Sequence, residues 1–451
     1  MTAMARLVRL ATVLALASLA GGCGFILPDR IHYAWSPQAA DGCADCVPTA
    51  GDAGTGMVGL ALSGGGSRAA VFAAAVIEAL DRRGLADRLT HISSVSGGGF
   101  AASYYAVNPP AAACPPGTGD SGVCRQAYFA DFQRAMRADY TGAMLLNQLA
   151  SPGRITSPTR RATSLQEALD AEFLHGITFG ALPPQPVLLV NAASYDNGRR
   201  FVFANTVLDD RAGPVPPLSS ALLRSSSFSR PDCAQATPAD LPLSLAVVAS
   251  AAFPPVLGPV TLQARRSCAD PTPEYWHLGD GGIIDNTGAD TLRELVARRA
   301  GAGGLAHALI LIADSGTAID SDASLAASDL SIFTSNPGAV VEIAQARGNA
   351  YAELFWAEQA ARIGIPFDTI VFRYTDAELT AWPASCTAAS RSGQSLAARL
   401  AAVPTALDID DCDADLIAAA ALDVVSRRLD QSGDILARHG LSPSLEAVAL
   451  R

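Results

Sequence analysis

Three features of the 451-residue chain predict an α/β fold with a mostly parallel sheet. An apolar run at 58–62 stops at Gly64-Gly65-Gly66, and a helical pattern (Val71, Ala75, Ile77, Leu80) follows it until Gly84. A second apolar run occupies 89–95, so strand, helix and strand fall within about 40 residues, the βαβ unit of a parallel sheet. That second run ends in Ser94-Val95-Ser96-Gly97-Gly98, just before a small-residue stretch of helical character. This is the layout of a nucleophile elbow, in which a serine on a sharp strand-to-helix turn pushes its hydroxyl out at the end of a sheet. The turn demands small residues two before and two after the serine. Here they are Ser94 and Gly98, where the first is ordinarily glycine.

The remaining elements follow in order. Further strands are predicted at 187–192, 308–313 and 369–374. A helix capped by Asn336, with Pro337 in its first turn, runs to about Gly364, and another covers 413–439. Two stretches, 109–124 and 212–242, read as loops. No internal repeat is present. The strand at 369–374 places the region after 320 in the same sheet, so the expectation is one large domain: a core at 57–320 and a mainly helical part at 321–451 that completes it.

The N-terminus reads as an export signal over 1–22. Arg6 and Arg9 precede an apolar core at 10–19 and a small-residue exit, too short for a membrane span. Leu19-Ala20-Gly21-Gly22-Cys23 resembles a bacterial lipobox, which implies lipidation of Cys23. Gly24 in the following position implies the outer membrane. A plain cleaved signal is the competing reading. Residues 23–56 then read as a lipid-anchored linker. With two or more acyl chains the anchor is stable without help from surface charge. Charge gives none: the formal −11 becomes −13 once Arg6 and Arg9 are lost. That balance excludes nucleic acid and electrostatic docking on anionic lipid.

Cys23 aside, eight cysteines remain, an even number in an exported chain. Disulfides are expected, and pairing sequence neighbours would join Cys114 to Cys124, Cys233 to Cys268 and Cys386 to Cys412. Eight cysteines permit 105 patterns, so connectivity stays open. Cys43 and Cys46 have no second pair at metal-site spacing and read as a local disulfide.

Ser63-Gly64-Gly65-Gly66-Ser67-Arg68 lies between the first strand and its helix. Consecutive glycines let N–H groups converge at a helix N-terminus, a site for an anion or a developing oxyanion. A phosphate-binding loop would need Gly-Lys-Ser/Thr, which is absent. A dinucleotide fingerprint would need glycine where Ala69 stands and an acid where Ser96 stands. An oxyanion loop fits better, and a plain tight turn is the alternative.

Of the six histidines, His307 and His439 follow Ser96 in the order a Ser–Asp–His triad requires, but neither lies in a recognisable catalytic loop. Asp280, in His277-Leu278-Gly279-Asp280-Gly281-Gly282-Ile283-Ile284-Asp285-Asn286, is the better base, since Gly281 and Gly282 allow its loop a close approach.

Taken together, these motifs resemble the patatin-like phospholipase family: a Gly-rich loop ending in Arg (64–68), the elbow (94–98) and Asp-Gly-Gly (280–282), in that order. The stretches 249–255 (Ala-Ser-Ala-Ala-Phe-Pro-Pro) and 191–201 resemble two further family segments. The likeness covers about 57–290. It implies a three-layer α/β/α sandwich and a lipid acyl hydrolase with a Ser96–Asp280 dyad, without cofactor or metal. Ser96 attacks the ester, Asp280 takes its proton, and N–H groups around Gly65 and Gly66 hold the oxyanion. Arg68 fixes the loop or meets a lipid phosphate, and Asp285 and Asn286 hold the Asp280 loop. The substrate is a phospholipid or other lipid ester, and the membrane is reached through the anchor. An acyltransferase and a non-catalytic envelope lipoprotein are the alternatives. Met144, Leu145, Leu146, Phe355 and Trp356 are candidates for an acyl channel, with core packing as the simpler reading. Two departures from the family pattern, Ser94 and Ala69, bear on fine geometry.

Overall fold

In the computed structural model the described residues are 30–35, 47, 54–115, 121–151, 153–208, 225–226, 228, 237–254, 256–265, 270–316, 339–391 and 394–441. Nine strands among them form one sheet. They are β1 (Ile31–Ala34), β2 (Gly56–Leu62), β3 (His91–Val95), β4 (Val187–Ser194), β5 (Arg200–Ala204), β6 (Val260–Arg265), β7 (Pro273–Asp280), β8 (His307–Asp314) and β9 (Phe367–Arg373). The order is β1-β6-β7-β4-β3-β2-β8-β9, with β5 on β4. The run β4-β3-β2-β8-β9 is parallel, while β7 is antiparallel to both β4 and β6.

Alternation along the central strands explains the layers. In β2, Val58, Leu60 and Leu62 enter one core and Met57 and Ala61 the other; β8 divides Leu309 and Leu311 from Ala308, Ile310 and Ile312 in the same way. Strands buried on both faces read as continuous apolar runs, which is why these were visible in the sequence.

The helices are α1 (Gly66–Arg82), α2 (Gly97–Val107), α3 (Ser121–Met136), α4 (Tyr140–Leu149), α5 (Pro158–Leu169), α6 (Leu243–Ser250), α7 (Ala289–Gly301), α8 (Ala339–Ala360), α9 (Leu396–Ala401) and α10 (Asp411–Gln431), with shorter turns between them. The larger core takes residues from α1 to α6 and from α10; the smaller one lies under α7. The result is a three-layer α/β/α sandwich. Helix α1 is buried on almost every side, as its Ala-rich composition allows, between the sheet and α10.

Several expectations change. The stretch 23–56 is not all tether, because Ile31–Ala34 pairs in parallel with β6 and Trp35 packs edge-on against Phe228 at 5.6 Å. The stretch 109–124 is not all loop: Pro110–Ala113 is a helical turn, with proline at its start, and α3 begins at Ser121. The helix expected over 413–439 begins at Asp411, capped by Asp410, and breaks after Gln431 into a short piece, Gly433–Arg438. Strands β1, β5, β6 and β7 were not anticipated.

Cys114–Cys124 and Cys386–Cys412 are disulfides with Cα separations of 5.8 and 4.6 Å. The export signal, Cys23, Cys43, Cys46, Cys233, Cys268 and the cap at Asn336-Pro337 lie outside the described residues. Among the described residues no helix is long and apolar enough to cross a membrane.

Candidate active site

The parallel strands β2, β3 and β8 carry their following loops to one edge of the sheet. Leu62 pairs with Ser94 and with Ala313, so the glycine loop, Ser96 and Ser315 emerge side by side. Across β4, Val95 is in register with Asn191 and Ala192 with Asp280. With strands about 4.8 Å apart, the end of β7 thus faces the end of β3 over one intervening strand.

Ser96 has φ +49° and ψ −123°, a conformation that L-residues rarely adopt. Such a residue stores roughly 1–3 kcal/mol and persists only where its surroundings hold it. Three contacts hold it here. Its N–H donates to Ser250 Oγ at 2.8 Å, and that hydroxyl donates to the Asn191 carbonyl at 2.5 Å. A Cβ at Gly97 would lie 1.9 Å from the Gly66 carbonyl oxygen, and one at Gly98 would lie 2.6 Å from the carbonyl oxygens of both Leu62 and Ser63. Helix α2 can start under this turn only because 97 and 98 lack side chains. Ser94 resolves as an ordinary strand residue: it is fully buried, pairs in β3, and donates its hydroxyl to the Leu189 carbonyl at 3.3 Å.

Asp280 closes β7. Its carboxylate accepts from the Gly282 N–H at 2.8 Å, and its own N–H donates to the Ala252 carbonyl at 3.1 Å. Gly281 permits the approach, since a Cβ there would lie 2.3 Å from the Asn191 carbonyl oxygen. Ser96 is 8% exposed and Asp280 4%. Burial raises the Asp280 pKa, hydrogen bonds from the Gly282 amide and the Ser96 hydroxyl offset part of the rise, and the net value is about 6. The carboxyl is therefore poised near neutrality and touches the serine.

In the glycine loop, Gly65 (φ +140°) and Gly66 (φ +61°) take backbone conformations that favour glycine. Gly64 N–H donates to the Asn286 carbonyl at 2.9 Å and Ser67 N–H to the Ala406 carbonyl at 2.7 Å. That leaves the N–H groups of Gly65 and Gly66 at the head of α1, with no acceptor among the described residues. The first N–H groups of a helix have no intrahelical partner and carry the positive end of its dipole. Arg68 is 3% exposed, donates to the Val403 carbonyl at 2.6 Å and lies over the Tyr374 ring at 5.8 Å, so it docks the loop from inside.

Other residues surround these groups: Asn191 and Ser315, which had no assigned role, and Asp285, which was expected to hold the Asp280 loop. Asn191 Nδ2 donates to Ser93 Oγ at 2.8 Å and to the Ser94 carbonyl at 2.9 Å, and its Oδ1 accepts from Thr291 at 2.6 Å. Through Ser250 and Gly281 it also reaches both halves of the site. Ser315 Oγ donates to the Gly64 carbonyl at 2.8 Å, and its N–H donates to Ser63 Oγ at 2.7 Å. Asp285 accepts from the N–H groups of Thr287, Gly288 and Asp290, capping the entry to α7. Asn191 and Ser250 were visible within the two supporting stretches. Ser315 could have been found as the first residue past a strand parallel to β2.

The histidines lie elsewhere. His307 opens β8 opposite Gly56, at the far end of the strands from Ser96; its Nδ1 is 3.1 Å from that of His439, which contacts Asp368 at 2.9 Å. His91 opens β3, and burial drives its pKa down to about 3. His277 sits on Asp196 at 2.8 Å. A Ser–Asp–His triad through His307 or His439 is thus ruled out by strand direction. Met144 is buried in the larger core, Leu145 and Leu146 are exposed, and Trp356 is buried with its N–H on Asp290 at 2.8 Å. Phe355, the fifth candidate, packs edge-on against Trp356 with ring centroids 5.2 Å apart.

A family description, patatin-like phospholipase, matches residues 60–293, more than half of the chain. The chain belongs to the patatin-like phospholipase family. Among solved structures it is similar to VipD from Legionella pneumophila, with 16% identity, TM-score 0.30 and coverage of 84% of this chain and 67% of that one. It is also similar to human GIVD cytosolic phospholipase A2, with 12% identity, TM-score 0.44 and coverage of 85% and 63%. The chain thus spans about two thirds of the length of each. No match is found among curated proteins. The matched region begins within β2 and ends within α7, so it contains the glycine loop, the elbow, Asn191, Ser250 and Asp280 of this patatin-like chain.

Proposed function

We propose that the protein is a lipid acyl hydrolase working through a Ser96–Asp280 dyad and an acyl-enzyme. The supporting observation is a buried carboxyl with a pKa near 6 in contact with a serine on a strained elbow, beside two N–H groups at a helix head that have no acceptor among the described residues. Asp280 takes the proton as Ser96 Oγ bonds to the ester carbonyl carbon. The Gly65 and Gly66 N–H groups hold the resulting oxyanion, an arrangement worth about 3–4 kcal/mol per donor. Collapse breaks the ester bond, and the departing alkoxide leaves with the proton from Asp280. Asp280 then deprotonates a water, which attacks the acyl-serine, and the fatty acid and free Ser96 result. Family membership supports lipid esters as the substrate class. Fatty-acid release from a panel of phospholipids, lysophospholipids and acylglycerols tests the reading. Wild type should release fatty acid from at least one class and Ser96→Ala from none; equal release by both would end it.

We further propose that Cys23 is diacylated and holds the enzyme at the outer membrane, on the strength of the Leu19–Cys23 pattern and the charge of −13 that remains from −11 without Arg6 and Arg9, which gives the surface no affinity of its own for anionic lipid. Metabolic labelling with a fatty-acid probe should mark wild type and spare Cys23→Ala. Label retained in that variant would refute the anchor.

A further inference from the structure

We propose that residues 403–408, which lie more than a hundred residues beyond the family-matched region, are a positioning element for the oxyanion loop. The proposal rests on the hydrolase reading above and extends it to the C-terminal part of the chain.

Gly65 and Gly66 are the loop's weak point, because positive-φ glycines are the residues whose backbone moves most freely. Their N–H groups can serve a transition state only if something outside the loop fixes their direction. On one side the fixing comes from Ser315 and Asn286, through the Gly64 carbonyl and N–H. On the other side it comes from 403–408. The Ala406 carbonyl accepts from Ser67 N–H at 2.7 Å and sits so close that a Cβ on Gly66 would be 2.0 Å from it. From the next residue, the Arg68 guanidinium reaches the Val403 carbonyl at 2.6 Å.

The segment is itself held from three directions. The Leu407 carbonyl accepts from Tyr140 N–H at 3.1 Å, and Asp408 accepts from Thr141 Oγ1 at 2.7 Å, joining it to the head of α4. Arg399 contacts Asp413 at 2.7 Å and Asp410 at 3.2 Å, closing the loop between α9 and α10. The Cys386–Cys412 disulfide spans the whole stretch. Asp410, Cys412 and Asp413 also form a group of potential metal ligands, but the sulfur is in a disulfide and both carboxylates are on Arg399. They serve the staple.

The test uses the full chain and two inhibitors of the same length. A trifluoromethyl ketone forms a tetrahedral adduct whose oxyanion needs the loop; the matching non-electrophilic ether does not. Variants are Arg68→Met, Arg68→Lys, and the double variant Cys386→Ala/Cys412→Ala. An inhibition constant does not depend on the fraction of protein that is folded, so loss of stability alone leaves both values unchanged. Arg68→Met should weaken the ketone by about 100-fold, the effect of misplacing a transition-state donor, with the ether within 2-fold and kcat falling at constant KM. Arg68→Lys should recover most of that loss. The disulfide-free protein should show the same selective loss in smaller degree, and serves if Arg68→Met fails to fold. Equal loss for both inhibitors, no loss for either, or a rise in kcat would overturn the proposal. A wild type that binds no trifluoromethyl ketone would remove the hydrolase reading together with this one.

Discussion

Asp280 is a carboxyl kept where its charge is costly. Burial raises its pKa from 3.8 to about 6, so between those values the native state holds a proton that the unfolded chain has released. Stability therefore falls as pH rises from about 4 to 6, by up to about 3 kcal/mol from this group. Asp280→Asn removes that term and keeps an oxygen for the Gly282 N–H. Its melting temperature should exceed that of wild type at pH 8, and the difference should vanish by pH 3.5. Ester hydrolysis should fall by about 10³-fold in the same variant, within the range for loss of a general base. The same pKa sets a limb in the wild-type rate: kcat/KM should rise with pH to half its plateau near pH 6, and a flat profile from pH 5 to 8 would deny Asp280 the role of base. The place of Asp280 beside Ser96 was legible in the sequence from the order of the motifs and the glycines that follow it. Its elevated pKa was not, because that depends on burial by strands distant in sequence.

At the scale of elements, the strand–turn–helix of β3 and α2 works through three glycines with different duties. Gly97 and Gly98 lie on backbone at distances no Cβ can share, whereas a Cβ at Gly99 would lie 3.7 Å from Val247 and 3.8 Å from Ser94, an ordinary contact. Gly97→Ala should abolish activity, and Gly99→Ala should stay within about 3-fold of wild type in a simple ester assay. Ser250→Ala leaves the Ser96 N–H buried without its acceptor, a cost of about 1–3 kcal/mol that should appear both in melting temperature and in kcat. The βαβ unit could be read because β2 is apolar from Met57 to Leu62 and stops at three consecutive glycines, while β3, polar at His91, Ser93 and Ser94, is marked by the Ser-Val-Ser-Gly-Gly turn that closes it. Strand β7 could not, since it opens with Pro273-Glu274 and, Trp276 apart, only its last residues, Leu278 to Asp280, are buried. β1 was hidden for a related reason: four residues at a sheet edge carry little periodicity.

On the scale of the whole molecule, the site is assembled from both halves of the chain. β9 extends the sheet beyond β8, α10 covers α1, and 403–408 rests on the glycine loop. A chain stopped at residue 320 should therefore be insoluble on expression, while the full chain is recovered folded; a soluble, active truncation would contradict this. That dependence was only partly legible: the strand at 369–374 pointed to a shared sheet, but nothing in Ala402 to Leu407 marks a contact with Gly66, since the contact is made by backbone. The central claim, a serine nucleophile activated by an aspartate without histidine, is tested most directly by mapping a fluorophosphonate adduct by peptide mass spectrometry. The account predicts the adduct on Ser96, its loss in Ser96→Ala, and its persistence in alanine variants of each of the six histidines. An adduct on another residue, or one abolished by a histidine substitution in folded protein, would contradict it.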